Sequence, residues 1–177
     1  MIRIISFLKK INNGIAVIAG LALLACITLI ILDIVLREIG ISFSGSEEIS
    51  GYVMAAVTSW GICYGLTAKA HVRIDFLREK GNLLISSLFD LIALAALSYV
   101  AVYLAYYAIP VLSKTLKSGA LSNTAMEIPL YLPQSIWLAG WIWFAISSSV
   151  LLIISIILVI QGKYEIVDKN IGTGGDL

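Results

Sequence analysis

Asp33 and Arg37 stand four residues apart inside a long apolar run. That spacing puts an acid and a base on one face of a helix. Asp90 lies in another such run, about two helical turns from its start. Ionisable groups in an apolar helix are costly, and in membrane helices they mark proton relays, ion paths or ligand sites. Glu47 and Glu48 open a further run, where acids favour the positive end of the helix dipole. His71, Arg73 and Asp75 follow its close. Asp33 and Arg37 are expected to form an interfacial ion pair, with Glu38 within reach. Asp90 is expected to make a structural contact to a neighbouring helix or subunit, with Lys69 or Arg73 as partner. Two acids near opposite ends of the helices do not make a complete ion path.

Other chemistries lack their residues. The two cysteines, Cys26 and Cys63, fall inside apolar runs and form no CxxC pair. A membrane thiol oxidoreductase needs paired reactive thiols. The single histidine, His71, cannot supply the two axial ligands of a membrane haem. One histidine and scattered carboxylates do not make a zinc or iron site, so no metal is expected. There is no Ser–His–Asp set and no phosphate loop, so the chain is not expected to be an enzyme or to hold a cofactor.

The elements that position these residues are apolar. Four stretches, 11–36, 49–70, 83–112 and 133–161, each reach the roughly 20 residues that cross a bilayer core. The chain has 177 residues, 60% of them hydrophobic and 13% charged. Its mean hydropathy is +0.99, and soluble domains carry about 25% charged residues. Backbone in lipid must satisfy its own hydrogen bonds, which leaves helices or closed barrels. The stretches lack the two-residue alternation of barrel strands. The expectation is an all-α integral membrane protein, a bundle of four transmembrane helices. Net charge is +1, so nucleic acid is not expected as a partner.

Lysine and arginine set the orientation. Nine of the twelve fall on one side: Arg3, Lys9, Lys10, Lys69, Arg73, Arg78, Lys80, Lys163 and Lys169. Arg37, Lys114 and Lys117 fall on the other. Both termini and the second loop are therefore expected in the cytoplasm. Tyr103, Tyr106, Tyr107, Tyr131, Trp137, Trp141 and Trp143 are expected near the outer interface, where amphipathic rings settle. Leu23-Leu24-Ala25-Cys26 looks like a lipoprotein cleavage box, but the apolar run continues beyond signal length. Residues 1–10 read as an interfacial helix or as the start of the first span. Residues 162–177 read as a flexible tail.

Small residues mark packing faces. Gly51, Ala55 and Ser59 recur at four-residue spacing, and Gly61 and Gly65 form a GxxxG pair. Such residues let helix backbones approach closely in lipid. Pro133 suits the first turn of the fourth span. Trp137, Trp141 and Phe144 form a stripe that faces either lipid or a partner.

The segments Asp33-x-x-x-Arg37 and Ser46-Glu47-Glu48, one membrane helix, and then Ala70-His71-Val72-Arg73-Ile74-Asp75-Phe76-Leu77 resemble a known pattern. With Ile128-Pro129 and the four-helix topology, they are similar to the small, DctQ-type membrane subunit of TRAP transporters. Many members carry Trp before the acidic pair, where Gly45-Ser46 stand here. The resemblance implies an accessory scaffold in the bacterial inner membrane. Its partners would be membrane lipid, a large polytopic subunit with the sodium and substrate sites, and a periplasmic binding protein. The cargo would be an organic acid, such as a C4-dicarboxylate or sialic acid. Arg37, Glu38, Glu47 and Glu48 would then contribute to docking of the binding protein, with helix capping as the plainer role of the glutamates. His71, Arg73 and Asp75 would anchor the second helix at the cytoplasmic interface. Two other readings compete: a self-sufficient homo-oligomeric proton-coupled transporter using Asp33 or Asp90, and a quinone or electron-transfer anchor.

Overall fold

Four long helices dominate the computed structural model, which describes residues 2–41, 45–70 and 82–172. They are α1 (Ile2–Glu38), α2 (Ser46–Thr67), α3 (Leu83–Ser118) and α4 (Tyr131–Ile160), followed by a short α5 (Tyr164–Ile171). All four long helices have the length and apolar character to cross a membrane. No strand occurs among the described residues; Leu121 and Pro129 form one isolated antiparallel bridge.

The ends follow from local chemistry. α1 stops where Gly40 takes a left-handed φ of +81°. Ile41 N–H then bonds Leu36 O at 2.9 Å and Gly40 N–H bonds Arg37 O at 3.1 Å. This paired closure satisfies carbonyls that the helix leaves unbonded, and glycine adopts it without a Cβ clash. Gly162 ends α4 the same way, with Lys163 N–H on Leu158 O and Gly162 N–H on Val159 O, both at 3.0 Å.

The four expected helices are all present, and they pack as a row rather than a closed bundle. Extended packing joins α1 to α2, α2 to α4, and α4 to α3. Among the described residues no comparable interface links α1 to α3. The spatial order is a row, α1–α2–α4–α3. In its most apolar stretch α4 is 39% buried within the chain and α1 only 6%. Lipid is as apolar as leucine, so nothing drives a closed shape unless small or polar residues draw helices together. Those residues lie at the α2–α4 and α3–α4 seams. Gly140 packs so tightly on Ser59 that a Cβ there would lie 2.9 Å from the Ser59 backbone carbonyl carbon. Between α3 and α4, the Ser98 and Ser149 hydroxyls bond at 3.1 Å, and Ser87, Ser147 and Ser148 are fully buried.

Residues 2–10 continue α1 without a break, the second of their two expected readings. Within the tail, residues 164–171 form α5 against α3 and α4. Val167 and Ile171, one turn apart, join Ile5 and Leu8 in the same apolar core as Phe144 and Leu94. The sequence around them is polar on average, but its apolar residues share one helical face.

Candidate functional site

The α1–α2 and α3–α4 loops meet at one end of the row. There Asp33 is 3% exposed inside α1. Arg37 Nη2 lies 2.7 Å from Asp33 Oδ2, one turn on, as the spacing predicts. Ser46 Oγ donates to the same carboxylate oxygen at 2.6 Å. The acid therefore ties the last turns of α1 to the first residue of α2. A buried carboxylate is stable only when paired and hydrogen-bonded. Both conditions are met here, so Asp33 reads as a structural latch.

The two glutamates have different roles. Glu47 is exposed, and its carboxylate lies 3.9 Å from Arg37, a loose contact. Glu48 instead turns toward the α3–α4 loop, where the Thr124 hydroxyl donates to it, as does the Tyr52 hydroxyl from the next turn of α2. That loop is braced by Ser122 N–H on Ile128 O at 2.9 Å and Ile128 N–H on Ser122 Oγ at 3.0 Å. Met126 lies over the buried Gly45, occupying the place a Cβ would take. The Met126 Cγ also stands within 2.9 Å of that position, so Gly45→Ala must move most of the Met126 side chain and is expected to lower the melting temperature of the purified chain. Glu38 stands exposed, without an ion pair among the described residues. Arg37, Glu38, Glu47 and Glu48 thus share this end, and Glu38 and Glu47 are the acids left exposed.

Towards the opposite end lies a polar junction that the sequence did not reveal. Asn12 is fully buried. Its Nδ2 donates to Cys63 O at 3.1 Å and to Thr67 Oγ1 at 3.4 Å. Its Oδ1 accepts from Trp143 Nε1 at 2.9 Å. One amide therefore joins α1, α2 and α4. Trp143 was expected at the outer interface, but it serves this junction instead. Trp60 adds a second α2–α4 tie through Nε1–H to Ile136 O at 2.9 Å.

The remaining candidates are scattered. Asp90 is 2% exposed in α3. Of the proposed packing residues, Ser59 is buried at α4, whereas Gly51 and Ala55 lie on an exposed face and no atom lies where a Cβ on Gly51 or Gly61 would reach. Gly65 is half-buried. Phe144 is buried and Trp141 meets it edge-on at 6.2 Å, so that stripe turns toward the core. His71, Arg73 and Asp75 lie outside the described residues. No cluster of histidine, cysteine, aspartate and glutamate suited to a metal ion occurs among the described residues.

Beside the junction, α1, α2 and α4 leave an open apolar groove of about 540 Å³. Ala19, Ala22, Ala56 and Ala139 make it shallow-walled, with Ile18 and Trp60 at its sides. Hydroxyls on exposed helix faces are bonded back to their own helices, Thr28 to Leu24 O at 2.8 Å and Thr58 to Met54 O at 2.7 Å. The geometry describes helices with an open apolar groove on one side and a polar, acidic end.

Residues 15–162 match the family model described as tripartite ATP-independent periplasmic transporters, DctQ component. No curated protein and no solved structure matches the chain.

Proposed function

This chain belongs to the DctQ family, the small membrane subunit of tripartite ATP-independent periplasmic transporters, and on that premise we propose that it braces a large polytopic subunit in the bacterial inner membrane. The large subunit carries the sodium and substrate sites in this reading, and a periplasmic binding protein delivers an organic acid, of the C4-dicarboxylate or sialic acid type. The loop end faces the periplasm and both termini face the cytoplasm.

The observation that supports this best is α1. Val17, Ile18, Leu21, Leu24, Ile31 and Leu32 each expose more than half of their surface. Together with the alanine-floored groove beside them, they offer a partner helix a close approach. Ala22→Trp fills the groove, whose lining does not include the Gly140–Ser59 contact. It is expected to lower recovery of the large subunit in an affinity pull-down by about tenfold while the chain itself is made normally. Undiminished recovery would place the partner elsewhere. Reconstitution then tests the function directly: the pair, with its binding protein, should take up substrate in a sodium-dependent way, and the chain alone should not.

The acidic end supports a docking role for Glu47, with Arg37 and Glu38 beside it. Glu47→Lys is expected to weaken association with the binding protein at low salt, by about three- to tenfold, with the difference fading at high salt. Glu48 belongs to the same proposed surface, and Glu48→Gln, which removes one charge and loosens the loop, should have a smaller salt-dependent effect than Glu47→Lys. Equal affinities for wild type and Glu47→Lys at low salt would reject the docking role. For His71, Arg73 and Asp75 the proposal is an anchor at the cytoplasmic interface. It fails if His71→Ala with Asp75→Ala leaves the yield of the complex intact.

A further inference from the structure

At the end opposite the two short loops, a recess of about 370 Å³ opens between the first turn of α1 and the corner joining α4 to α5. Ile2, Arg3, Leu158, Lys163 and Ile166 line it. Two cations and three aliphatic side chains therefore share one hollow. Glu165, the acid nearest to Lys163 in sequence, is exposed and does not line it. The Lys163 ammonium donates to Gln161 Oε1 at 3.0 Å, a neutral partner that steadies the amine and leaves its charge. Lys9 and Lys10, further along α1, add to the positive field.

The helices that flank the recess are packed in place. Val167 and Ile171 seat α5 in the core, and Ile5 seats the start of α1 in the same core. The recess also sits at a boundary. α4 ends at Ile160, which is 80% exposed, and the chain turns polar at Gln161. A spanning helix that ends where the chain turns polar is expected to end near the lipid phosphates. A free anion gains nothing from Ile2, Leu158 and Ile166. A phospholipid meets both halves of the lining, and basic pockets at membrane helix ends bind anionic headgroups.

We infer that this recess holds one anionic phospholipid, its phosphate between Arg3 and Lys163 and its first methylenes against Ile2, Leu158 and Ile166. The inference is independent of the transport reading, since it rests on the recess alone. Native mass spectrometry of the full chain tests it, with added phosphatidylglycerol and phosphatidylcholine. Wild type should retain phosphatidylglycerol about tenfold better than phosphatidylcholine. Arg3→Gln with Lys163→Gln should reduce that preference to about twofold or less. Lys114→Gln with Lys117→Gln removes the same charge at the other end and should change nothing. Circular dichroism of each variant confirms that the helices persist. Equal retention of the two lipids by wild type would overturn the inference. So would equal losses in the two double variants, or displacement of the lipid by millimolar inorganic phosphate, which would mark a free-anion site.

Discussion

Gly140→Leu will part α2 from α4. Even a methyl group at this position meets Ser59 Oγ at 2.4 Å, Ser59 Cβ at 2.8 Å and the Ser59 backbone carbon at 2.9 Å. The hydroxyl can turn away, but the backbone cannot. Gly140→Ala therefore forces the helices apart slightly, at about 1–3 kcal/mol, and leucine exceeds that range. The seam is central to the row, and its loss also pulls Trp60 from Ile136 and Trp143 from Asn12. Denaturant or thermal unfolding of the purified chain in mild detergent reads the effect. Ser59→Gly should recover only part of the Gly140→Ala loss, because the 2.9 Å contact is to backbone. Full recovery, or a Gly140→Leu chain that melts like wild type, would show that the seam is looser than described.

Arg37→Ala should destabilise the chain more than the double change Asp33→Asn with Arg37→Ala. The single change removes the cation from a carboxylate that is 3% exposed and to which the Ser46 hydroxyl still donates. Removing one member of a buried pair costs about 3–5 kcal/mol. Arg37 is half-exposed, which places the expected loss nearer to about 2 kcal/mol. The double variant keeps an amide oxygen for Ser46 and has no charge to strand, so it should recover most of the loss. A double-mutant cycle by thermal unfolding measures the coupling. Additive losses would mean that Asp33 is solvated from the loop end and that the latch carries little energy.

The spans were legible because hydropathy and length report directly on a bilayer. The Asp33–Arg37 pair was legible because both partners lie on one helix, where spacing dictates proximity. The link from Asp33 to Ser46 needed the turn geometry at Gly40. Asn12 was not legible. Asn12-Asn13-Gly14 reads as a frayed or turning segment, and its partners are Trp143 in another helix and a backbone carbonyl that has no sequence signature. Gly140 has the same difficulty, since a glycine in a membrane helix is ordinary until its neighbour is known. Of the stripe Gly51, Ala55 and Ser59, position 59 alone meets α4, because a row of helices covers each member on limited arcs. Composition hid α5, where two well-placed aliphatic residues outweigh a polar average. At the acidic end, sequence found both glutamates, but the division of labour between them depends on a loop some 76 residues further along the chain.

The open row has a consequence for abundance in the cell. A closed bundle finishes folding by itself, whereas a row finishes at its flanks, and α1 contributes little internal burial. Whatever covers that flank stabilises the chain by mass action. Its lifetime should therefore track the supply of its partner, with unaccompanied copies passing to membrane proteases. Matched stoichiometry between subunits would then emerge from turnover of the surplus, without any need for matched synthesis.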